Sequence, residues 1–438
     1  MRIGGSLRHC SIPSIVAVGV LGIATACGPA RRVTQPGGVE PDLRVGLLVG
    51  ASGVRVTGRG STAAIQGQSA AFRLGAGQSV TIVPDGRALR VSDGPGAGRY
   101  DRLTFVALDA GRHIEVDGKP YRGVIEVLAG SGRLTVVNEV PLEAYVVGVV
   151  NAEMGRRTAS EQAALEAQAV VTRSYALRNR GKFAGDGFDV RASVVDQAYG
   201  GVDAETQEGW EAVRSTVGQV LTYDGEPVSA FFHSTCGGST ASPAEAFRSV
   251  PAAPYLRPVS DRHGNGAYCD ISPRFRWSVE WDAATLRRIL RRTVSTTLGV
   301  DEAALDDITG VRVHRTGPSG RVTEARIAVA RGEIPVFGPD LRTVLETPDG
   351  RVLGSTAVRL EATAGAGGGG REGGPAGGGE AGGGAGGGGL ERVRADGTGW
   401  GHGVGMCQWG AVGRARAGQD ARTILMTYYP GVRLERWY

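Results

Sequence analysis

Residues 134–154 read LTVVNEVPLEAYVVGVVNAEM, and the local pattern changes in the middle of them. Up to Val140 the run is short, rich in valine and broken by polar residues, as in a strand. Pro141 then stands where a helix accepts proline, in its first turn, and Leu142, Tyr145, Val146 and Val149 recur at helical spacing. A strand that runs straight into a helix marks a seam between two textures, and each texture continues away from it.

Upstream, residues 42–137 are a series of short apolar segments: LRVGLLVG, GVRVTGRG, SVTIVPDG, ALRVSDG, RLTFVALD, HIEVDG, GVIEVLAG and RLTVVNEV. Gly, Asp and Asn punctuate them roughly every 8 to 12 residues, which predicts a strand-rich region joined by tight turns. Downstream, Ser160 can cap a second helix in which Ala164, Ala167, Val171 and Ser174 form a stripe of small residues. Helices are also predicted over 284–292 and 339–346. VRVHRTG and TEARIAVARG pair across the turn PSGR, and a closing helix runs from an Asp420 cap to Tyr429. The class is therefore α+β: a β-rich part over 42–120 and a mixed part over 121–438.

The chain has 438 residues, of which 72 are Gly, and 17 of the 26 residues in 364–389 are Gly. Such a tract cannot bury apolar surface, so it reads as an unstructured insert; it lacks the spacing of a phosphate loop. Residues 1–26 carry two Arg, an apolar run over 15–23 and then small residues up to Cys27, the pattern of a secretory signal ending at a lipidated cysteine. Residues 27–41 would then be a linker. The expectation is an exported chain, periplasmic or in the cell envelope and anchored to a membrane through Cys27. Removing Arg2 and Arg8 with the signal lowers the formal charge from +5 to +3. With no Lys/Arg run, that balance does not point to a nucleic-acid partner, and none is expected.

Three stretches carry more chemistry than packing needs. VVNAEMG places Glu153 at a helix end, with Gln168 and Arg173 on the next helix. SAFFHSTCGGSTASPAEAF sets His233 and Cys236 before a Gly pair. GTGWGHGVGMCQWGA (397–411) sets Trp400, His402, Cys407, Gln408 and Trp409 among glycines. In that motif the absent side chains are expected to let a ligand approach the backbone, with a Trp face beneath it and hydrogen bonds from His402 and Gln408.

The succession YRGVIEV, LTVVNEVPLEAYVVGVVNAEM, LEAQAVVTRSYAL, FFHSTCGGST, GWGHGVGMCQWGA and ILMTYYPGV resembles the SpoIID/LytB family of peptidoglycan-acting proteins, over roughly residues 121–438. The resemblance implies a lytic transglycosylase. Such an enzyme cleaves the glycan bond between N-acetylmuramic acid and N-acetylglucosamine and leaves a 1,6-anhydro end on the muramic sugar. It implies Glu153 as the catalytic carboxylate, with Gln168 and Arg173 on the substrate, and we add His233, Trp400, His402 and Gln408 to the expected substrate-binding set. Gly155 stands where the family usually has Pro, and Glu166 where it usually has Lys.

Glycosidic cleavage needs a proton donor, and most glycosidases add a second carboxylate. A lytic transglycosylase does without one, because the muramic 6-hydroxyl itself attacks. Glu139, Glu143, Asp189 and Asp196 are the candidates for a second acid. Glu143 lies about 280° around the same helix from Glu153, so the two need not face each other.

Of the three cysteines beyond the signal, Cys236 and Cys269 are expected to form a disulfide, with Cys407 buried as a small hydrophobe. The alternative joins His233, Cys236 and Cys269, with Cys407 or His263 as a further ligand, around zinc, which the resemblance also allows near this place; neither a metal nor any other cofactor is otherwise expected. Two further classes stay open: a non-catalytic peptidoglycan-binding module that stimulates a cell-wall amidase, and a zinc-dependent hydrolase.

Overall fold

The computed structural model of the chain describes residues 38–305, 307–364 and 390–438. The expected signal, Cys27 and most of the Gly-rich insert lie outside the described residues. No helix among the described residues is long and apolar enough to cross a membrane.

The β-rich region forms two sheets. In the first, the strands run in the order Val190–Arg191, Asp42–Ala51, Leu134–Pro141, Val124–Ala129, Arg102–Ala107, Thr62–Gln66 and Ser69–Leu74. All its pairs are antiparallel except the first, where Val45 and Gly46 lie beside Val190 and Arg191 in parallel register. The second sheet takes Lys119–Tyr121, Ile114–Val116, Val54–Gly58, Ser79–Asp85, Ala88–Asp93 and Gly98–Tyr100. The alternation read from the sequence is the alternation of the pleat: Val54 and Val56 are buried, Arg55 between them exposed. The first sheet spans the expected division at residue 121, because Asp42–Ala51 pairs with Leu134–Pro141.

Helix α1 (Leu142–Met154) leaves that sheet directly, with Pro141 as its cap residue at φ −52°. Helix α2 (Gln162–Arg178) follows. It is preceded by a single 3-10 turn (Ala159–Glu161) with a capping box between Thr158 and Glu161, and the cap residue of α2 itself is Glu161 rather than the expected Ser160. Helix α3 (Gln207–Ser215) and the short α4 (Pro243–Ala246) come next. Val147 and Val150 of α1 are as buried as Val146 and Val149, and in α2 every residue from 167 to 177 is buried. Both helices are therefore enclosed on all sides rather than apolar along one face.

Residues 276–398 build a second hydrophobic core. Arg276–Asp282, Leu390–Thr398 and Val358–Ala364 form one sheet, and Gly310–Thr316, Val322–Val329 and Gly332–Phe337 another. Trp281, Leu286, Ile289, Ile327 and Val393 lie at its centre, with helices α5 (Ala283–Leu298) and α6 (Gly338–Val344) packed on it. Sequence reading found these helices and the strand pair but not that they enclose a core of their own.

The chain then returns to the first core. Met406–Cys407 lies parallel to Phe232–His233, helix α7 (Gln408–Arg416) is capped by Cys407, and α8 (Ala421–Tyr428) is capped by Asp420 as expected. Helix α2 touches α1, α3, α7 and α8, so it is the axis of this half of the molecule.

Candidate active site

Glu153 occupies the last turn of α1, half-buried. The helix ends at Gly155, whose φ of 68° is closed to proline, the residue usual there in the family that the sequence resembles. One carboxylate oxygen, Oε1, accepts the Ala198 backbone N–H at 2.7 Å, and the Gln408 side chain also hydrogen-bonds the carboxylate. Burial raises the Glu153 pKa above the usual carboxylate value, and these two hydrogen bonds pull against it. The carboxylate faces a cavity of about 260 Å³ lined by Met154, Arg157, Ser234, Arg274, Gln408 and Trp409, with Gly155 and Pro273. Glu153 is the only acid among the described residues that line it.

The four other carboxylates near in sequence are engaged elsewhere. Glu143 accepts both Nε and Nη2 of Arg173 and the hydroxyl of Tyr438. Glu139 pairs with Arg44. Asp189 accepts the backbone N–H groups of Arg44 and Gly181. Asp196 holds Tyr175, Lys182 and the Arg191 N–H. Each fixes a loop or a helix, and none lines the cavity of Glu153.

The predicted site residues divide. Gln408 borders the cavity, and Gln168 lies fully buried behind it with Oε1 3.4 Å from Gln408 Nε2. Gln168 therefore reaches the site through Gln408 and not by touching a ligand. Trp409 is the aromatic face on the cavity, with the Arg157 guanidinium 4.5 Å above its ring. Trp400 is set back behind Arg274, whose guanidinium lies 4.9 Å from its ring.

Arg173 does not reach the site. It is fully buried on α2, held by Glu143 and by the carbonyl of Gln219, so its assignment to substrate is corrected to a structural one. His233 and His402 are corrected too. Their rings pack 5.5 Å apart, and His402 continues to Phe247 at 5.0 Å and borders a different cavity, with Arg248 and Arg342. His233 donates from Nδ1 to the Val404 carbonyl. Desolvation pushes both imidazoles below their usual pKa, His402 to about 4, so both are neutral at pH 7.

The glycines around His402 also serve a different end from the one expected. A Cβ at Gly403 would lie 2.6 Å from the Arg321 guanidinium, and one at Gly405 would lie 2.0 Å from the Phe231 carbonyl. Their φ values, 87° and 71°, suit glycine. At Gly403 and Gly405 the missing side chains let the chain pack on itself.

Sequence reading missed Arg157, Ser234, Arg274 and the Ala198 N–H. Arg157 was within reach, four residues after Glu153 and just past the helix end. Nothing local marks Arg274 or Ala198, since each arrives from a loop.

Cys236, Cys269 and Cys407 are free thiols in the structure, so the expected disulfide is not formed in it. The Cys236 and Cys269 sulfurs are 3.5 Å apart. Cys407, expected to stand apart, shares their cluster together with Asp261, and His233 is not part of it.

Residues 130–223 match the family described as "Stage II sporulation protein" (SpoIID), and residues 259–405 match a "Domain of unknown function (DUF8618)". An uncharacterized protein of Brachyspira hyodysenteriae is 27% identical over 360 residues, 81% of this chain and 82% of its own length. The Stage II sporulation protein D of Bacillus subtilis is 28% identical over 314 residues, 68% of this chain and 75% of its own. The B. subtilis protein named "Amidase enhancer" is 25% identical over 344 residues, 73% of this chain and 45% of its own.

Proposed function

We propose that this chain, which belongs to the SpoIID/LytB family, is a peptidoglycan lytic transglycosylase with Glu153 as its single acid and base. Relatives named Stage II sporulation protein D and Amidase enhancer support a cell-wall role at the coarse level. The observation that carries the finer reading is the isolation of Glu153: a desolvated carboxylate of raised pKa, with no second acid among the described residues that line its cavity. Such a group holds its proton to higher pH than an ordinary carboxylate and can give it to the glycosidic oxygen as the bond to the muramic C1 breaks. The resulting carboxylate then takes the proton of the muramic 6-hydroxyl as that oxygen bonds to C1, which closes the 1,6-anhydro ring and consumes no water. Trp409 offers a flat face to a sugar, and Arg157 and Arg274 offer cations to the acidic groups of a glycan strand. The reading also takes the chain to be exported and anchored through Cys27.

Digestion of purified glycan strands, with and without stem peptides, tests it. Anhydro-muramic ends from the wild type that disappear with Glu153→Gln are expected. Their absence from the wild type, or equal amounts from the variant, would overturn the reading. Stimulation of a cell-wall amidase that survives Glu153→Gln would instead mark the chain as a binding partner of that enzyme.

A further inference from the structure

One of the two hydrogen bonds on Glu153 comes from a segment with no regular structure. Residues 192–200 run between the strand Val190–Arg191 and the 3-10 turn Gly201–Ala204, and within them the Ala198 N–H meets Glu153 Oε1 at 2.7 Å. A strand or a helix places its backbone donors through its own ladder. An irregular segment has no ladder, so its donors stand only where other groups hold them.

The tip of this segment is exposed, Val194 to 91% and Val195 to 60%. Anchoring begins at Asp196. Its side chain is fully buried and accepts the Tyr175 hydroxyl of α2 at 2.9 Å, Lys182 Nζ at 2.5 Å and the Arg191 backbone N–H at 2.9 Å. Gln197, also fully buried, accepts the Tyr145 hydroxyl of α1 at 3.1 Å. The Tyr199 ring lies 5.0 Å from that of Tyr145, and the Gly200 N–H donates to the Gly148 carbonyl of α1 at 3.0 Å. A Cβ at Gly148 would stand 2.6 Å from the Tyr199 ring, so this glycine lets the segment pack against the helix that carries Glu153.

Holding the segment in this way costs free energy. A buried carboxylate must be desolvated, and Gln197 Nε2 is buried with no hydrogen-bond partner. Neither residue lines the cavity of Glu153, so contact with substrate does not account for them. Both directly precede Ala198, and what they fix is its N–H.

We propose that Asp196 is a positioning residue for Glu153: it fixes residues 196–200 between α1 and α2 so that the Ala198 N–H holds the Glu153 carboxylate in one orientation. The inference rests on the reading of Glu153 as the single acid and base. Such a group must reach first the glycosidic oxygen and then the 6-hydroxyl, and a misplacement of about 1 Å costs roughly a hundredfold in rate. The other groups that face Glu153 are Arg157, Arg274 and Gln408 on its cavity and Tyr145 on its own helix, which burial keeps neutral. Asp196 itself faces Tyr145, Tyr175 and Lys182.

Two variants of the full chain test this. Asp196→Asn weakens the anchor, and Tyr175→Phe removes one hydroxyl from it with every charge kept. Glu153 is followed by carbon-13 NMR of labelled glutamate side chains, its signal identified by its loss in Glu153→Gln, and glycan cleavage is followed against pH. In both variants the Glu153 titration and the alkaline limb of cleavage should move to higher pH, because the weakened N–H bond favours the ionised form. Removal of the Asp196 charge by itself would move them lower, so the direction separates positioning from electrostatics. With Asp196→Asn kcat should fall about ten- to a hundredfold, and less with Tyr175→Phe, at unchanged KM. A titration unmoved or lowered in the folded variants, or a raised KM with an unmoved titration, would overturn the proposal. Should Asp196→Asn fail to fold, Tyr175→Phe decides. Should the wild type cleave no glycan, the cleavage reading fails, and the NMR titration still decides whether Asp196 positions Glu153.

Discussion

Gln168 Oε1 lies 3.4 Å from Gln408 Nε2, joining helix α2 to the first residue of α7 across 240 positions of sequence, and Gln408 in turn hydrogen-bonds Glu153. The interaction favours the ionised form of Glu153, so Gln408→Ala should raise the Glu153 pKa further and move the alkaline limb of the pH–rate profile upward. Gln168→Leu should do the same by a smaller amount, because it acts through Gln408. A profile unmoved by Gln408→Ala would remove that glutamine from the site.

Glu153→Gln should lower glycan cleavage roughly a hundred- to ten-thousand-fold, the range for loss of a positioned acid. It should not cost stability. The folded pKa of Glu153 is raised, so its contribution to stability is full below the unfolded pKa and is lost as pH rises through the folded one. At neutral pH the neutral amide is therefore at least as well accommodated. Thermal melts at pH 7 read this directly, and a large drop in Tm would contradict it.

Arg173→Met should affect folding rather than binding. It strands Glu143 beside Tyr438 with no cation, and breaking a buried pair in this way costs about 3 to 5 kcal/mol. Denaturant midpoints should fall accordingly, while KM of the remaining folded enzyme should stay unchanged. A raised KM at unchanged stability would return Arg173 to the substrate.

Acid should loosen the His233–His402 layer. Desolvation lowers both pKa values, so the stability from keeping the rings neutral is present above the unfolded value of 6.5 and is lost as pH falls toward about 4. The loss at His402 should be on the order of 1 to 3 kcal/mol. Urea midpoints followed from pH 7 to pH 4 measure it, and His402→Phe, in contact with Phe231 and Phe247, should flatten the decline. An equal decline in wild type and variant would place the acid sensitivity elsewhere.

Ala364 and Leu390 face each other in register at the end of an antiparallel strand pair. Residues 365–389 thus leave and re-enter at one point, and closing so short a gap costs little loop entropy. Replacing them by a short Gly-containing turn should leave Tm and glycan cleavage within error of the full chain. A clear loss of either would give the tract a role in the fold or in binding.

The elements themselves were legible because their signals are local. Valine-rich segments between turn residues became strands, Pro141 and Asp420 marked helix starts where expected, and Glu153 came out at the end of α1. The sequence alone thus determined the α+β class and the acid at the helix end. Its choice of site partners failed where the local signal is silent. Periodicity tells which way a side chain points only when a helix has a wet face, and α1 and α2 have almost none. Arg173 and Gln168 therefore looked alike along the chain, whereas packing made one a counter-ion for Glu143 and the other a support for Gln408. Only the tertiary structure could decide that Arg157 and Trp409 face Glu153, that the two histidines face away, and that Cys236, Cys269, Cys407 and Asp261 meet. Those relations depend on how three distant segments fold back onto α2, and no spacing within any one segment encodes that.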